Sequence, residues 1–170
     1  MTDTLTIYEV HDRHGHHWRV TDLRSAERRV EELRRYGSDP SATIHQRKIE
    51  KVIPKAGDLF VGSWGYDQTN TDGLRVVEVS KSGKTATFIQ VEADRSDHEV
   101  DYTRVALKFS HRPVSGRGWT QTGPIRKTLK WDDNGKPYFR IDRWAGAPFF
   151  RLVEDEESRT FSETHPQYGH

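Results

Sequence analysis

The spacing of apolar residues changes twice along this chain, and each change marks a different kind of element. Leu5-Thr6-Ile7-Tyr8-Glu9-Val10 alternates apolar and polar side chains, as a half-buried strand does. Asp12-Arg13-His14-Gly15 supplies turn residues, with Gly15 free to take positive φ, and His17-Trp18-Arg19-Val20 resumes as a second, shorter strand. From Leu23 the period lengthens. Leu23, Ala26, Val30 and Leu33 recur three and four residues apart, while Arg24, Arg28, Glu31, Glu32 and Arg35 fill the other positions of an amphipathic helix. Thr21 or Asp22 is placed to cap its first turn, Gly37 to end it, and Pro40 to prevent its resumption. Residues 41–49 then read as extended. The pattern predicts a small ββαβ module over residues 1–53.

Pro54-Lys55-Ala56-Gly57 is a turn, and beyond it the signals are those of strands. Segments 59–61, 74–79, 85–91, 100–109, 125–131 and 138–143 are rich in β-branched and aromatic residues. Ser80-Lys81-Ser82-Gly83-Lys84 and Asp132-Asp133-Asn134-Gly135 are tight turns between such segments, and 113–123 is a long loop. Six or so short strands at this spacing predict a small-barrel-like domain over 58–153. Glu154-Asp155-Glu156-Glu157 opens what reads as an acidic, partly disordered tail over 154–170. The expected fold class is therefore α+β: a ββαβ module, a β-rich barrel-like domain and an acidic tail.

Composition narrows the class. The 170 residues are 32% hydrophobic and 31% charged, yet 5 Trp, 6 Tyr and 7 Phe supply the large apolar surfaces that disordered chains lack. No cysteine is present, which removes disulfides and thiolate chemistry and fits a reducing cytoplasm. No apolar run approaches the ~18 residues of a membrane span, and no membrane partner is expected. The net charge of +1 conceals an asymmetry. Residues 58–101 carry 4 Lys/Arg against 9 Asp/Glu, whereas residues 102–151 carry 11 against 3. The second of these segments is the one a polyanion would seek.

Two stretches carry candidate chemistry. Ser63-Trp64-Gly65-Tyr66-Asp67-Gln68-Thr69-Asn70 sets donors and acceptors beside two aromatics, the inventory that reads a base edge or polar ligand. The same residues also suit a loop that satisfies its own backbone while its aromatics cap a core. This string, with Gly135-Lys136-Pro137-Tyr138-Phe139 and Trp144-Ala145-Gly146, resembles a group of small phage- and plasmid-borne proteins of unknown function. The resemblance spans roughly residues 57–150. It implies a mobile-element origin and a bacterial host cytoplasm, and it implies no activity. The second stretch interleaves Arg104, Lys108, Arg112, Arg117, Arg126, Lys127, Lys130, Lys136, Arg140 and Arg143 with Tyr102, Phe109, Trp119, Trp131, Tyr138, Phe139 and Trp144. Cations neutralise phosphates while aromatic faces stack on bases. An ordinary solvated surface that pairs with the acidic segment is the plainer explanation of the same charges.

Other constellations are weaker. His11, His14, His16 and His17, with His165 and His170, have metal-ligating side chains, but neighbouring residues on a turn point apart, and no metal is expected. Asp132 and Asp133 are explained by turn chemistry. No nucleophile elbow or phosphate-binding glycine loop occurs, so neither a catalytic residue nor a cofactor is expected. The sequence points to an accessory protein that binds DNA or RNA, with Trp64, Tyr66, Gln68 and Asn70 for recognition and Arg126, Lys127, Lys130 and Arg140 for phosphate contact. Two alternatives stand beside it. One is a protein-interaction module that binds a host protein, and the other is a small-molecule or nucleotide-binding domain.

Overall fold

The computed structural model describes residues 3–36, 39–65, 69–101, 104–115, 123–142, 147–156 and 159–164, with only the backbone course of 95–101, 104 and 105. It divides into two compact units, Met1–Val52 with Trp131–Lys136, and Ile53–Lys130 with Pro137–His170. The described residues are dominated by strands and contain a single helix, an α+β composition. No helix among them is long and apolar enough to cross a membrane.

In the first unit, β1 (Thr4–His11) and β2 (His17–Val20) form the expected hairpin, in register Tyr8↔Val20 through His11↔His17. The Asp12 carboxylate accepts from the His14 and His16 N–H groups at 2.8 and 2.9 Å, and Gly15 takes φ +81°. Helix α1 (Leu23–Arg35) follows, and Asp22 caps it by accepting from the Ser25 N–H at 2.9 Å. Ala26, Val30 and Leu33 are buried, but Leu23, expected on the same face, is 44% exposed. It occupies the first turn, ahead of the buried stripe. Helix α1 ends at Arg35, and the expected stop residue Gly37 lies outside the described residues. Strand β3 (Thr43–Glu50) pairs along the whole of β1, giving the order β2-β1-β3. Val10, Ala26, Val30, Leu33 and Ala42 form the core of this unit. Asp39 is fully buried because three donors meet its carboxylate: Arg13 N–H at 2.5 Å, Ser41 N–H at 2.8 Å and Ser41 O–H at 2.6 Å.

The second sheet contains β4 (Leu59–Trp64), β5 (Asn70–Val79), β6 (Thr85–Asp101), β7 (Arg104–Pro113), β8 (Ile125–Thr128), β9 (Lys130–Trp131), β10 (Pro137–Arg140), β11 (Phe149–Leu152) and β12 (Phe161–Thr164). Its pairing runs β12-β7-β6-β5-β4-β11-β10-β9 as an open path, with β8 beside β6 off that path. Leu129 alone separates β8 from β9. Apolar side chains pack against both faces of this sheet. On one face Phe60, Phe88, Phe139 and Phe150 meet, with ring centroids 4.4–5.7 Å apart. On the other, Leu59, Val91, Leu107, Phe109, Val153 and Phe161 pack together.

Residues 154–156 and 159–164, the described part of the stretch expected as a tail, pack with this second unit. Strand β12 pairs with β7, Phe161 is buried, and the Glu156 carboxylate grips the buried Arg75 guanidinium at 2.6 and 2.9 Å. Arg75 also donates to the Gly57, Phe109 and Ser110 carbonyls, at 3.0, 3.2 and 3.2 Å. A buried guanidinium with five donors needs such partners, and Glu156 supplies the compensating charge.

Candidate functional site

Strand alternation turns Phe139, Phe150 and Leu152 into the core, and so places Tyr138, Arg140, Phe149 and Arg151 together on the opposite face. Register makes Tyr138 the partner of Arg151 and Arg140 the partner of Phe149. The Arg140 guanidinium lies 4.6 Å from the Phe149 ring centre, and that of Arg151 lies 5.3 Å from the Tyr138 ring. The two rings meet edge to face at 5.9 Å. Phe149 is 45% exposed, and both arginines are exposed. Phe149 thus keeps nearly half of its surface exposed beside the Arg140 guanidinium.

A groove of about 430 Å³ adjoins this ladder. Val61, Ser63, Thr71, Phe149, Arg151 and Arg159 are among the residues that line it. The Arg159 guanidinium is 5.9 Å from the Phe161 ring. The arrangement offers apolar ring faces for a planar ring and guanidiniums for phosphate oxygens; the Thr71 hydroxyl is already committed to the Ser162 carbonyl at 2.8 Å and to Ser63 at 3.1 Å, and Glu163 adds one carboxylate to the lining.

The other residues singled out by sequence are distributed as follows. Trp64 and Asn70 are a register pair at the β4–β5 end of the sheet. Trp64 is 38% exposed, and its Nε1–H donates to Asp72 at 2.5 Å. The second Asp72 oxygen accepts from the Gln90 side-chain amide at 2.9 Å. Tyr66 and Gln68, like Arg117, Trp119, Arg143 and Trp144, lie outside the described residues. Arg126 and Lys127 sit on β8 opposite Thr87 and Ala86, at the start of β6, whereas Trp64 ends β4 and pairs with Asn70 at the start of β5. Antiparallel pairing of β5 with β6 puts these at opposite ends of the ladder. Arg126 and Lys127 also point to opposite faces: Arg126 is exposed and donates to the Thr85 hydroxyl at 3.0 Å, and the Lys127 ammonium donates to the Ile141 carbonyl. Lys130 is exposed on β9. Of the six chosen residues that are described, Arg140 alone falls on the cation–aromatic ladder.

Several members of the basic aromatic stretch are committed elsewhere. Phe109 and Phe139 are core residues. Arg112 pairs with Glu92 at 3.2 Å and Asp94 at 3.4 Å, so part of the basic segment is neutralised by the acidic one before it. The Trp131 Nε1–H donates to the Val52 carbonyl at 3.0 Å. Asp132 accepts from the Asn134 and Lys136 N–H groups at 2.9 and 3.0 Å, which is turn work. Phe149 and Arg151 were the residues that sequence reasoning passed over. Their signal was the alternation Phe149-Phe150-Arg151-Leu152, which sets one aromatic outward.

Among the histidines, His11, His17 and His45 gather on one face of the three-stranded sheet. Glu9 lies beside them. Burial pushes its carboxyl up, but the hydrogen bond from His11 and the charges of Arg19 and Arg47 outweigh that and hold it below the usual value. Among the described residues no three His, Asp or Glu side chains converge as metal ligands. Compared with protein-family models, with curated proteins and with solved structures, the chain matches none.

Proposed function

We propose that this protein is a nucleic-acid-binding accessory protein of a phage or other mobile element, acting in the cytoplasm of its bacterial host. The binding face is Tyr138, Arg140, Phe149 and Arg151, with the adjoining groove. One observation carries the reading: two exposed guanidiniums and two aromatic rings alternate across a register-fixed strand pair. Cationic grooves that track a backbone and aromatic faces that take unpaired bases are the two parts of single-strand recognition. Trp64 and Asn70, turned to the other side of the sheet by the β4–β5 register, do not belong to this face, and Arg126 and Lys130 are secondary phosphate contacts.

The same reading takes the second unit as a small barrel. Strand β8 pairs with β6 and runs through Leu129 into β9, beside β10, so the succession β6-β5-β4-β11-β10-β9 returns to its start through one bent strand. Four phenylalanine rings from β4, β6, β10 and β11 would fill such a barrel. The first unit is read as a ββαβ module joined to it.

The test is fluorescence anisotropy with labelled single-stranded DNA and RNA. Three guanidiniums on phosphates give a log–log salt slope of about −2, hence roughly 20-fold weaker binding between about 50 and 200 mM salt. Phe149→Ala with Arg151→Ala is expected to weaken binding at least about fivefold, the lower bound for one lost stacking contact. Absence of binding at the lower salt, or unchanged binding by that variant, overturns the proposal.

A further inference from the structure

Strands β6 and β7 fall out of step toward the end of β7. Ala93 pairs with Phe109 and Val91 with Pro113, so two steps along β6 answer four along β7, and the residues between bulge. The Arg75 guanidinium, reaching over from β5, takes up the Phe109 and Ser110 carbonyls at 3.2 Å each. The Glu156 carboxylate closes on the same guanidinium at 2.6 and 2.9 Å, and with the Gly57 carbonyl all five of its N–H groups are used. Beside this pair the cover of strands ends. Strand β12 pairs with β7 only as far as Phe161↔Leu107, and among the described residues no other strand lies against that edge from Lys108 onward. A cavity of about 760 Å³ opens there. Leu107, Phe109 and Phe161 supply apolar lining, and Lys108, Arg159 and the Arg75–Glu156 pair supply the charged part.

We propose that this cavity binds a small organic anion, a carboxylate carried on an acyl or aryl body. Its size falls within the roughly 300–1,000 Å³ of ligand sites, which combine apolar walls with a few polar groups that fix orientation. The charge of the lining decides the sign of the ligand. Glu156 is spent on Arg75, which leaves Lys108 and Arg159 as exposed cations with no ion pair among the described residues. Asp94, opposite Lys108 in the register, is engaged by Arg112 at 3.4 Å. The Arg159 guanidinium lies 5.9 Å from the Phe161 ring, so cation and apolar lining are within reach of one small molecule. The head group follows from the same chemistry. Arg75 already closes its fork on a carboxylate through two bonds, and Arg159 brings a second fork to the cavity. Binding there leaves the Arg75–Glu156 pair intact, because the ligand's charge is met by Lys108 and Arg159.

The proposal stands without the nucleic-acid reading, and its probes are octanoate and 4-phenylbutyrate, titrated into the full chain by calorimetry. Ligands of this size are expected to bind with a Kd of about 1 mM or tighter. Lys108→Gln with Arg159→Gln is expected to weaken both at least about tenfold, the loss of one charge-assisted hydrogen bond. Both side chains are exposed, so the variant keeps its fold. Lys81→Gln with Lys84→Gln, in the exposed turn before β6, removes the same charge and leaves the affinity unchanged. Octan-1-ol, with the same chain and no charge, is expected to bind at least about tenfold more weakly than octanoate. Thr160→Trp places a large ring in the lining and should abolish binding of both carboxylates. The proposal is overturned if neither carboxylate binds at about 10 mM, or if octan-1-ol matches octanoate. Wild-type affinity in the Lys108 and Arg159 variant, or in Thr160→Trp, overturns it equally.

Discussion

Gly73→Ala gives a sign that backbone propensity alone would get wrong. Glycine inside a strand is normally a liability, and alanine there gains roughly 0.5–1 kcal/mol. Gly73 lies in β5 on the face of the second core, and a Cβ at this position would run into the Phe109 ring, with two further ring carbons only 2.8 Å away. The ring cannot swing aside freely. Phe109 is buried, packs edge to face on Phe161 at 5.3 Å, and its carbonyl serves Arg75. Overpacking of this kind costs about 1–3 kcal/mol, so the net effect is a loss of about 1–2 kcal/mol. For a chain of this length that corresponds to a melting temperature lower by about 2–8 °C. Urea unfolding measures it as a lower midpoint at unchanged slope. Adding Phe109→Leu opens the space, so the double variant should be more stable than the sum of the two single changes by about 1 kcal/mol. A Gly73→Ala protein as stable as the wild type, or additive behaviour in the cycle, refutes the close approach of β5 to that ring.

Arg75→Met should cost about 3 kcal/mol in urea unfolding, because Glu156 and three carbonyls lose their buried donor, whereas Glu156→Gln, at a half-exposed carboxylate, should cost about 1–2 kcal/mol. Asp39 predicts the acid limb of stability. The Ser41 hydroxyl lowers its pKa, burial opposes that, and the Arg13 and Ser41 N–H groups and the Arg13 charge reinforce it. The unfolded chain therefore takes up the proton first as pH falls. The stabilisation is fully present above about pH 4 and is lost as pH drops through the folded value. Melting curves of Asp39→Asn against pH should be lower than wild type at neutrality and flatter below about pH 4, and parallel curves would contradict this.

Local signals made much of the fold legible. The Asp12–Gly15 turn, the Asp22 cap and the stripe of Ala26, Val30 and Leu33 each act within a few residues, so sequence alone locates the hairpin and α1. The same holds for the strands around the Ser80–Lys84 turn, where the Gly83 N–H returns to the Ser80 carbonyl at 2.8 Å. Strands β11 and β12 escaped because non-local partners decide them. Phe161-Ser162-Glu163-Thr164 reads as acidic tail until β7 lies beside it, and Glu156 reads as solubilising charge until Arg75, 81 residues earlier, is buried against it. Leu23 shows the converse: correct spacing with no neighbour to cover it.

The candidate face tests what charge counting can and cannot find. The basic segment 102–151 contains Tyr138, Arg140, Phe149 and Arg151, yet a strand divides consecutive residues between two faces, so the sum over a segment does not predict a patch. Arg126 and Lys127 are adjacent in sequence and diverge in space, whereas Arg140 and Arg151, eleven residues apart, share a face because β10 and β11 pair. Aromatic content is divided in the same way. Phe139 and Phe150 stack at 5.5 Å inside, and their neighbours Tyr138 and Phe149 stand outside beside the guanidiniums. That division makes the buried and exposed rings separable by experiment. Removing Phe139 would test only the core, but Phe149 contributes little to the core, so its loss reports on what the exposed face holds.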